Sequence, residues 1–116
     1  MTTEEKFKAI QERVPLLDET YTPQHVSVMI ITGYLDTLAR EGLLEMPHAV
    51  TPLGRSVIAV CEEFDWKPSD EDIEMYVSDL IPTEVQEEFR YFILQFRDNR
   101  EELMDKIKKF KDGTEY

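Results

Sequence analysis

Between Gln24 and Ser56 the chain reads QHVSVMIITGYLDTLAREGLLEMPHAVTPLGRS, and the order of signals in that stretch leaves few folds open. Pro23 suits the first position of a helix with Thr22 as its cap. Val28, Ile31, Leu35 and Leu38 then fall on one stripe, which Ile30 and Tyr34 widen, so the helix is expected to be largely buried. Gly33 in its middle lowers helix propensity by about 1 kcal/mol relative to Ala, and marks either a close crossing by another helix or a break between two shorter ones. Gly42, after Arg40 and Glu41, suits a left-handed stop, with Leu43 and Leu44 returning to the core. Leu43 to Met46 and Ala49 to Thr51 can pair as two short strands around Pro47 and His48. Thr51, Pro52 and Gly54 then open another helix, with the threonine oxygen capping free backbone donors and proline at a position that sacrifices no hydrogen bond. Val57, Cys61 and Phe64 define its inner face.

The run YLDTLAREGLLE, a short gap and VTPLGRSV together resemble the second half of a winged helix-turn-helix domain of the MarR-like and PadR-like kind. The matching positions are Leu35, Leu38, Gly42, Leu43, Thr51, Pro52, Gly54 and Arg55, within about residues 24–58. The resemblance implies a recognition helix, a two-stranded wing and a following helix. It also implies a regulator that reads DNA as a dimer, with two recognition helices facing successive grooves. Gln24, His25, Ser27, Arg40, His48 and Arg55 would then supply the contacts. The sequence departs from that pattern in two ways. The wing is cut to roughly Glu45 to Thr51, and no Lys or Arg lies between Gln24 and Ala39, although base readout usually relies on Arg, Lys, Asn or Gln.

On the N-terminal side, Phe7, Ile10 and Val14 predict an amphipathic helix within Thr3 to Leu17, capped by Thr3 and either limited or bent by Pro15. Asp18 to Thr22 reads as a connector. On the C-terminal side, Trp66 and Pro68 close one helix. Ser69 caps the next, whose first turn carries Asp70, Glu71 and Asp72 and whose apolar face is Ile73, Tyr76, Val77 and Leu80. Pro82 and Thr83 open a last helix with Gln86 placed as in a capping box. Val85, Phe89, Phe92, Ile93, Phe96, Leu103, Ile107 and Phe110 recur at helical spacing. Continuous to Lys111, that helix would be about 43 Å long, so it protrudes, breaks near Asp98–Arg100, or packs on another copy through Leu103, Ile107 and Phe110.

At 116 residues and 41% hydrophobic content, the chain is sized for one domain, 1–116. Residues 1–68 form its winged-helix-like half, and 69–116 supply an acidic helix and the long C-terminal helix. The fold class expected is mostly α, with a small two-stranded β-hairpin. No stretch approaches the ~18 apolar residues that span a bilayer, and MTTEEKFK has no apolar signal core. A cytoplasmic protein with no membrane partner is expected. Cys61, the only cysteine, reads as a small buried hydrophobe.

The chemistry-bearing patterns are few. His25 and His48 belong to no His-x-x-x-His motif, and Asp65, Asp70, Asp72 and Glu74 lack the spacing of a calcium loop. No metal, no cofactor and no enzymatic activity are therefore expected. The aromatic stripe from Phe89 to Phe96 has a helical period and reads as core or interface rather than as a base-stacking platform.

Charge carries the strongest functional signal. The net charge is −12, and from Cys61 to Arg90 eleven acidic residues stand against Lys67 and Arg90 alone. Such a chain favours cationic partners and disfavours polyanions. The preferred expectation is a non-enzymatic module that docks on a basic protein through Glu62, Glu63, Asp65, Asp70, Glu71, Asp72, Glu74 and Asp79. In a sharper form the partner is a nucleic-acid-binding protein and the carboxylates stand where phosphates would, as in phage-type inhibitors. The alternatives are the DNA-binding regulator, which the missing cations make the less favoured, and a structural subunit of a larger assembly. The bland alternative is that these acids only keep the protein soluble.

Overall fold

Thr2 begins the first helix, α1 (Thr3–Arg13): its hydroxyl accepts from the Glu5 N–H at 3.1 Å, and the Glu5 carboxylate accepts from the Thr2 N–H at 3.2 Å. That reciprocal pair places the cap one residue before the expected Thr3. The computed structural model describes residues 1–45 and 49–111. In it α1 stops at Arg13, short of the expected reach toward Leu17, because Val14 precedes Pro15 and is pushed out of the helical region. Val14 and Leu17 nevertheless turn inward and are buried.

α2 (Pro23–Arg40) is the central element and packs against the first, third, fourth and fifth helices. Ile31, Leu35 and Leu38 are completely buried, each worth about 1.5–3 kcal/mol of transfer free energy. Val28 is a correction: it is 38% exposed, because the buried stripe centres on Ser27, Ile31, Tyr34 and Leu38 and leaves Val28 at its edge. The helix is unbroken through Gly33. A Cβ built there would lie 2.7 Å from Ile58 Cδ1, so the glycine marks a close crossing.

Gly42 adopts φ 81°, and the following N–H, that of Leu43, bonds to the Leu38 carbonyl at 3.2 Å, a left-handed helix end as expected. The hairpin is overturned: among the described residues there is no strand, and neither Leu43–Glu45 nor Ala49–Thr51 pairs. Leu43 and Leu44 both pack against the core instead of alternating, and Thr51 caps the next helix. Three-residue strands without a third partner are marginal in any case. Met46, Pro47 and His48 lie outside the described residues. The mostly α architecture itself holds.

α3 (Pro52–Glu63) opens with the Thr51 hydroxyl accepting from the Gly54 N–H at 3.0 Å. Val57 and Cys61 are buried and Phe64 half-buried, as its spacing indicates. Beyond the Phe64 cap comes Asp65, the one described non-glycine residue with positive φ, at 51°, and Trp66 N–H returns to the Cys61 carbonyl. α4 (Asp70–Leu80) is capped by Ser69, which accepts from the Asp72 N–H at 3.1 Å. Ile73, Tyr76 and Val77 face inward. Leu80, expected with them, is 39% exposed. It shares a shallow apolar groove with Val28, Tyr21 and Met29, which accounts for both departures.

A single 3-10 turn (Thr83–Val85) leads into α5 (Gln86–Asp98). Thr83 makes no side-chain cap, contrary to the expected capping box. Gln86 turns its amide the other way and donates to the Val77 and Ile81 carbonyls at 3.2 and 3.0 Å, closing the open end of α4. The long C-terminal helix is two helices: Asn99, at φ −136° and ψ 44°, separates α5 from α6 (Arg100–Lys111). The break is the outcome that brings α6 back onto the chain, and Leu103 and Ile107 join the common core. No helix among the described residues is long and apolar enough to cross a membrane.

Candidate partner-binding surface

The acidic residues occupy positions with different electrostatic logic. Asp70, Glu71 and Asp72 sit in the first turn of α4, where a helix macrodipole favours negative charge by about 0.3–1 kcal/mol each. Glu62 and Glu63 sit at the other end of α3, where the same dipole opposes them and no basic residue shares the turn. Asp79 is likewise in the last turn of α4. Helix stability explains the first group and disfavours the second.

Ion pairing separates them further. The Arg13 guanidinium forks onto Glu63 across α1 and α3 and holds its carboxyl below the ordinary value of 4.5. Arg90 joins Glu74 at 2.6 Å and Glu87 at 3.0 Å, tying α4 to α5. Arg97 is the most enclosed of the ion-paired arginines among the described residues: it reaches Asp70 at 2.6 Å, Asp98 at 2.8 Å and the Pro68 carbonyl at 3.1 Å. The hydrogen bonds from Arg97 hold the Asp98 carboxyl below its ordinary 3.8. Thus Glu63, Asp70 and Glu74 hold helices together. Glu62, Asp65, Glu71, Asp72 and Asp79 enter no ion pair among the described residues, and all but the half-buried Asp72 are exposed.

Glu62 and Asp65 border a cleft of about 900 Å³ between α2, the end of α3 and the α5–α6 junction. Across it stand Glu101, Glu102 and Asp105, all exposed, which the sequence reading did not single out. Two of them lie in the first turn of α6 and look like ordinary helix-start acids, so only the break at Asn99 puts them opposite Glu62 and Asp65. Gly33, Tyr34, Ile58, Trp66 and Phe96 are uncharged members of the lining, and Lys67 and Arg97 also border the cleft. Over two of the rings lies the Arg100 guanidinium, 4.3 Å from the Phe96 ring centroid and 5.3 Å from that of Tyr34.

The six residues considered for DNA contact do not converge. Gln24 and Arg40 stand at opposite ends of α2, about 24 Å apart at 1.5 Å per residue. His25 is exposed, but its Nδ1 accepts from the Thr22 N–H at 2.9 Å at the helix start. Ser27 is buried and accepts from Trp66 Nε1 at 3.4 Å. Arg40 pairs with Asp36 at 3.1 Å, Arg55 is exposed on α3, and His48 lies outside the described residues. Leu103 and Ile107, considered for an oligomer contact, are 7% and 6% exposed within this chain alone. The Phe110 side chain lies outside the described set. No group of three or more His, Cys, Asp or Glu is arranged to hold a metal among the described residues.

No protein-family model, no curated protein and no solved structure matches this chain.

Proposed function

We propose that the protein is a non-enzymatic binding module whose acidic surface docks on a basic protein. The observation that carries this is the gathering of Glu62, Asp65, Glu101, Glu102 and Asp105, none of them ion-paired among the described residues, around one cleft whose cations, Lys67, Arg97 and Arg100, are outnumbered, with Arg97 already committed to Asp70 and Asp98. Like charges brought together by tertiary structure repel one another. Glu62 is also opposed by the dipole of its own helix. A local arrangement that works against stability is where function is expected. Acids meant only for solubility would gain by dispersal.

Such a field steers a Lys- or Arg-bearing partner and weakens steeply with salt. A nucleic-acid-binding protein is the sharper form of the partner, with carboxylates on rigid helices standing in for phosphates, as a phage-type inhibitor would place them. Direct DNA binding is disfavoured by the same field, and the described part of residues 24–55 offers Arg40, already paired with Asp36, and Arg55 rather than a contiguous basic surface. The winged-helix resemblance concerns the scaffold alone.

The test is fluorescence anisotropy with labelled poly-L-lysine and, separately, labelled duplex DNA, each titrated at low and physiological salt. Salt-sensitive binding of the polycation, lost when Glu62, Asp65, Glu101, Glu102 and Asp105 are all changed to their amides, is expected. Retained binding in that variant, or tight binding of DNA at low salt, would sink the assignment.

A further inference from the structure

We infer that Arg100 is an internal placeholder for an arginine side chain of the basic partner, seated over Tyr34 and Phe96 in the acidic cleft. This rests on the proposed function and names the chemical group that the cleft takes.

Three observations converge. The cleft, at about 900 Å³, has room for a further guanidinium beside those of Arg97 and Arg100 that line it. Its floor offers two ring faces, those of Tyr34 and Phe96, which themselves pack at 4.7 Å. A planar guanidinium stacks on such faces better than an ammonium does. Its rim carries carboxylates from both α3 and α6, which suit the fork of N–H groups that a guanidinium presents.

Arg100 itself is held by neutral groups alone. It is an exposed residue, it makes no ion pair among the described residues, its hydrogen bond to the Phe96 carbonyl is long at 3.4 Å, and its other polar contact is with the neutral Tyr34 hydroxyl. It is also the first residue of α6, where a positive charge opposes the helix dipole. Its contrast with Arg97, three residues earlier, is direct: Arg97 is clamped by two carboxylates and a carbonyl, and Arg100 lies across rings with no carboxylate attached. A side chain held in this way is displaceable. An incoming arginine would take over the rings and add the rim carboxylates that Arg100 does not engage.

The experiment compares oligo-arginine and oligo-lysine peptides of equal length, binding to the intact chain and to its Arg100→Ala and Arg100→Lys variants, by anisotropy at low salt. Arg100 is exposed and alanine is the better helix former, so both variants should fold, which circular dichroism checks. Removing the placeholder is expected to tighten oligo-arginine about fivefold to tenfold. Oligo-lysine should gain only the smaller effect of one added negative charge, seen equally with both peptides. Arg100→Lys keeps the charge and should improve oligo-arginine selectively, though less. An equal gain for both peptides in Arg100→Ala, or a loss for oligo-arginine, overturns the placeholder and leaves the general acidic surface standing. Failure of both peptides to bind the intact chain overturns the two together.

Discussion

The Tyr76 hydroxyl lies 3.0 Å from Thr32 Oγ1 in the buried interface between α2 and α4. Thr32 has one proton to give, and it donates to the Val28 carbonyl at 2.8 Å, so Tyr76 is the donor of the shared bond. Its burial pushes the Tyr76 hydroxyl pKa above the ordinary 10.0. Losing the donor and losing the acceptor are therefore unequal. Tyr76→Phe should cost about 0.5–1.5 kcal/mol, because Thr32 keeps its other partner. Thr32→Val leaves a buried hydroxyl unpaired and should cost about 1–3 kcal/mol. The double variant should cost less than the sum, and strict additivity in urea unfolding would show that the two groups are not coupled.

Gly33 and Ile58 form a second coupled pair. Alanine at Gly33 gains about 1 kcal/mol of helix propensity but puts its Cβ 2.7 Å from Ile58 Cδ1. That atom is the free end of a half-buried side chain bordering the cleft, so it can swing aside at modest cost. Gly33→Ala alone should therefore sit within about 1 kcal/mol of the parent. Ile58→Val removes the obstructing methyl. Adding Gly33→Ala to that variant should raise its stability by about 1 kcal/mol. Thermal unfolding of the parent, the two single variants and the double variant tests this, and destabilisation by alanine in both backgrounds would mean that the helices cannot adjust.

Helix starts were legible in the sequence where the cap is a local bond. Ser69 and Thr51 hold the N–H groups that their spacing suggests, and Thr22 and Pro23 frame α2 as written. Gln86 was not legible, since its amide has two possible helix ends to serve and the choice depends on how α4 meets α5. The hairpin misled for a related reason: Leu43 and Leu44 are strand-like locally, but both are drawn onto the core. The acidity of residues 61–90 was plain, whereas Glu101, Glu102 and Asp105 gain significance only from the turn at Asn99. Arg100 stands only four positions after Phe96, but its second ring, Tyr34, is 66 positions away in the chain, so the two-ring seat was not legible.

Acid should weaken the link between α1 and α3. The Glu63 carboxyl is held below its ordinary 4.5, chiefly by the hydrogen bond from Arg13. A depressed carboxyl stabilises the fold at pH above 4.5 and loses that contribution as pH falls through its lowered value. Whole-chain repulsion also falls as pH approaches the isoelectric point near 4.5, so the parent's melting temperature alone is ambiguous. The informative quantity is the difference in melting temperature between the parent and Arg13→Ala. It should be constant from neutral pH down to about 5 and shrink below 4.5. Both groups are exposed, so added salt should shrink it as well. A difference that persists at the lowest pH would assign the effect of Arg13 to packing.

Cys61 should be chemically silent in the native state. The residue is 2% exposed, and burial alone pushes its thiol from 9.0 up to about 12. Near neutral pH almost none of it is thiolate, the form that reacts. Labelling by an aromatic disulfide reagent at about pH 8 should thus be slower than in urea by orders of magnitude and should track global unfolding, because Cys61 packs with Val57 in the common core. The same shift has a sign for stability: a thiol that ionises less readily when folded favours the unfolded chain as pH rises beyond 9.0 toward about 12. Tyr34 and Tyr76, both raised above 10.0 by burial, act in the same direction at higher pH. Cys61→Ala should therefore flatten the first part of the alkaline decline while leaving the tyrosine part, at a fixed stability loss from the smaller side chain. Rapid labelling of the native protein under the same conditions would mean that the end of α3 opens independently of the core, and the cleft that Glu62 and Asp65 border would open with it.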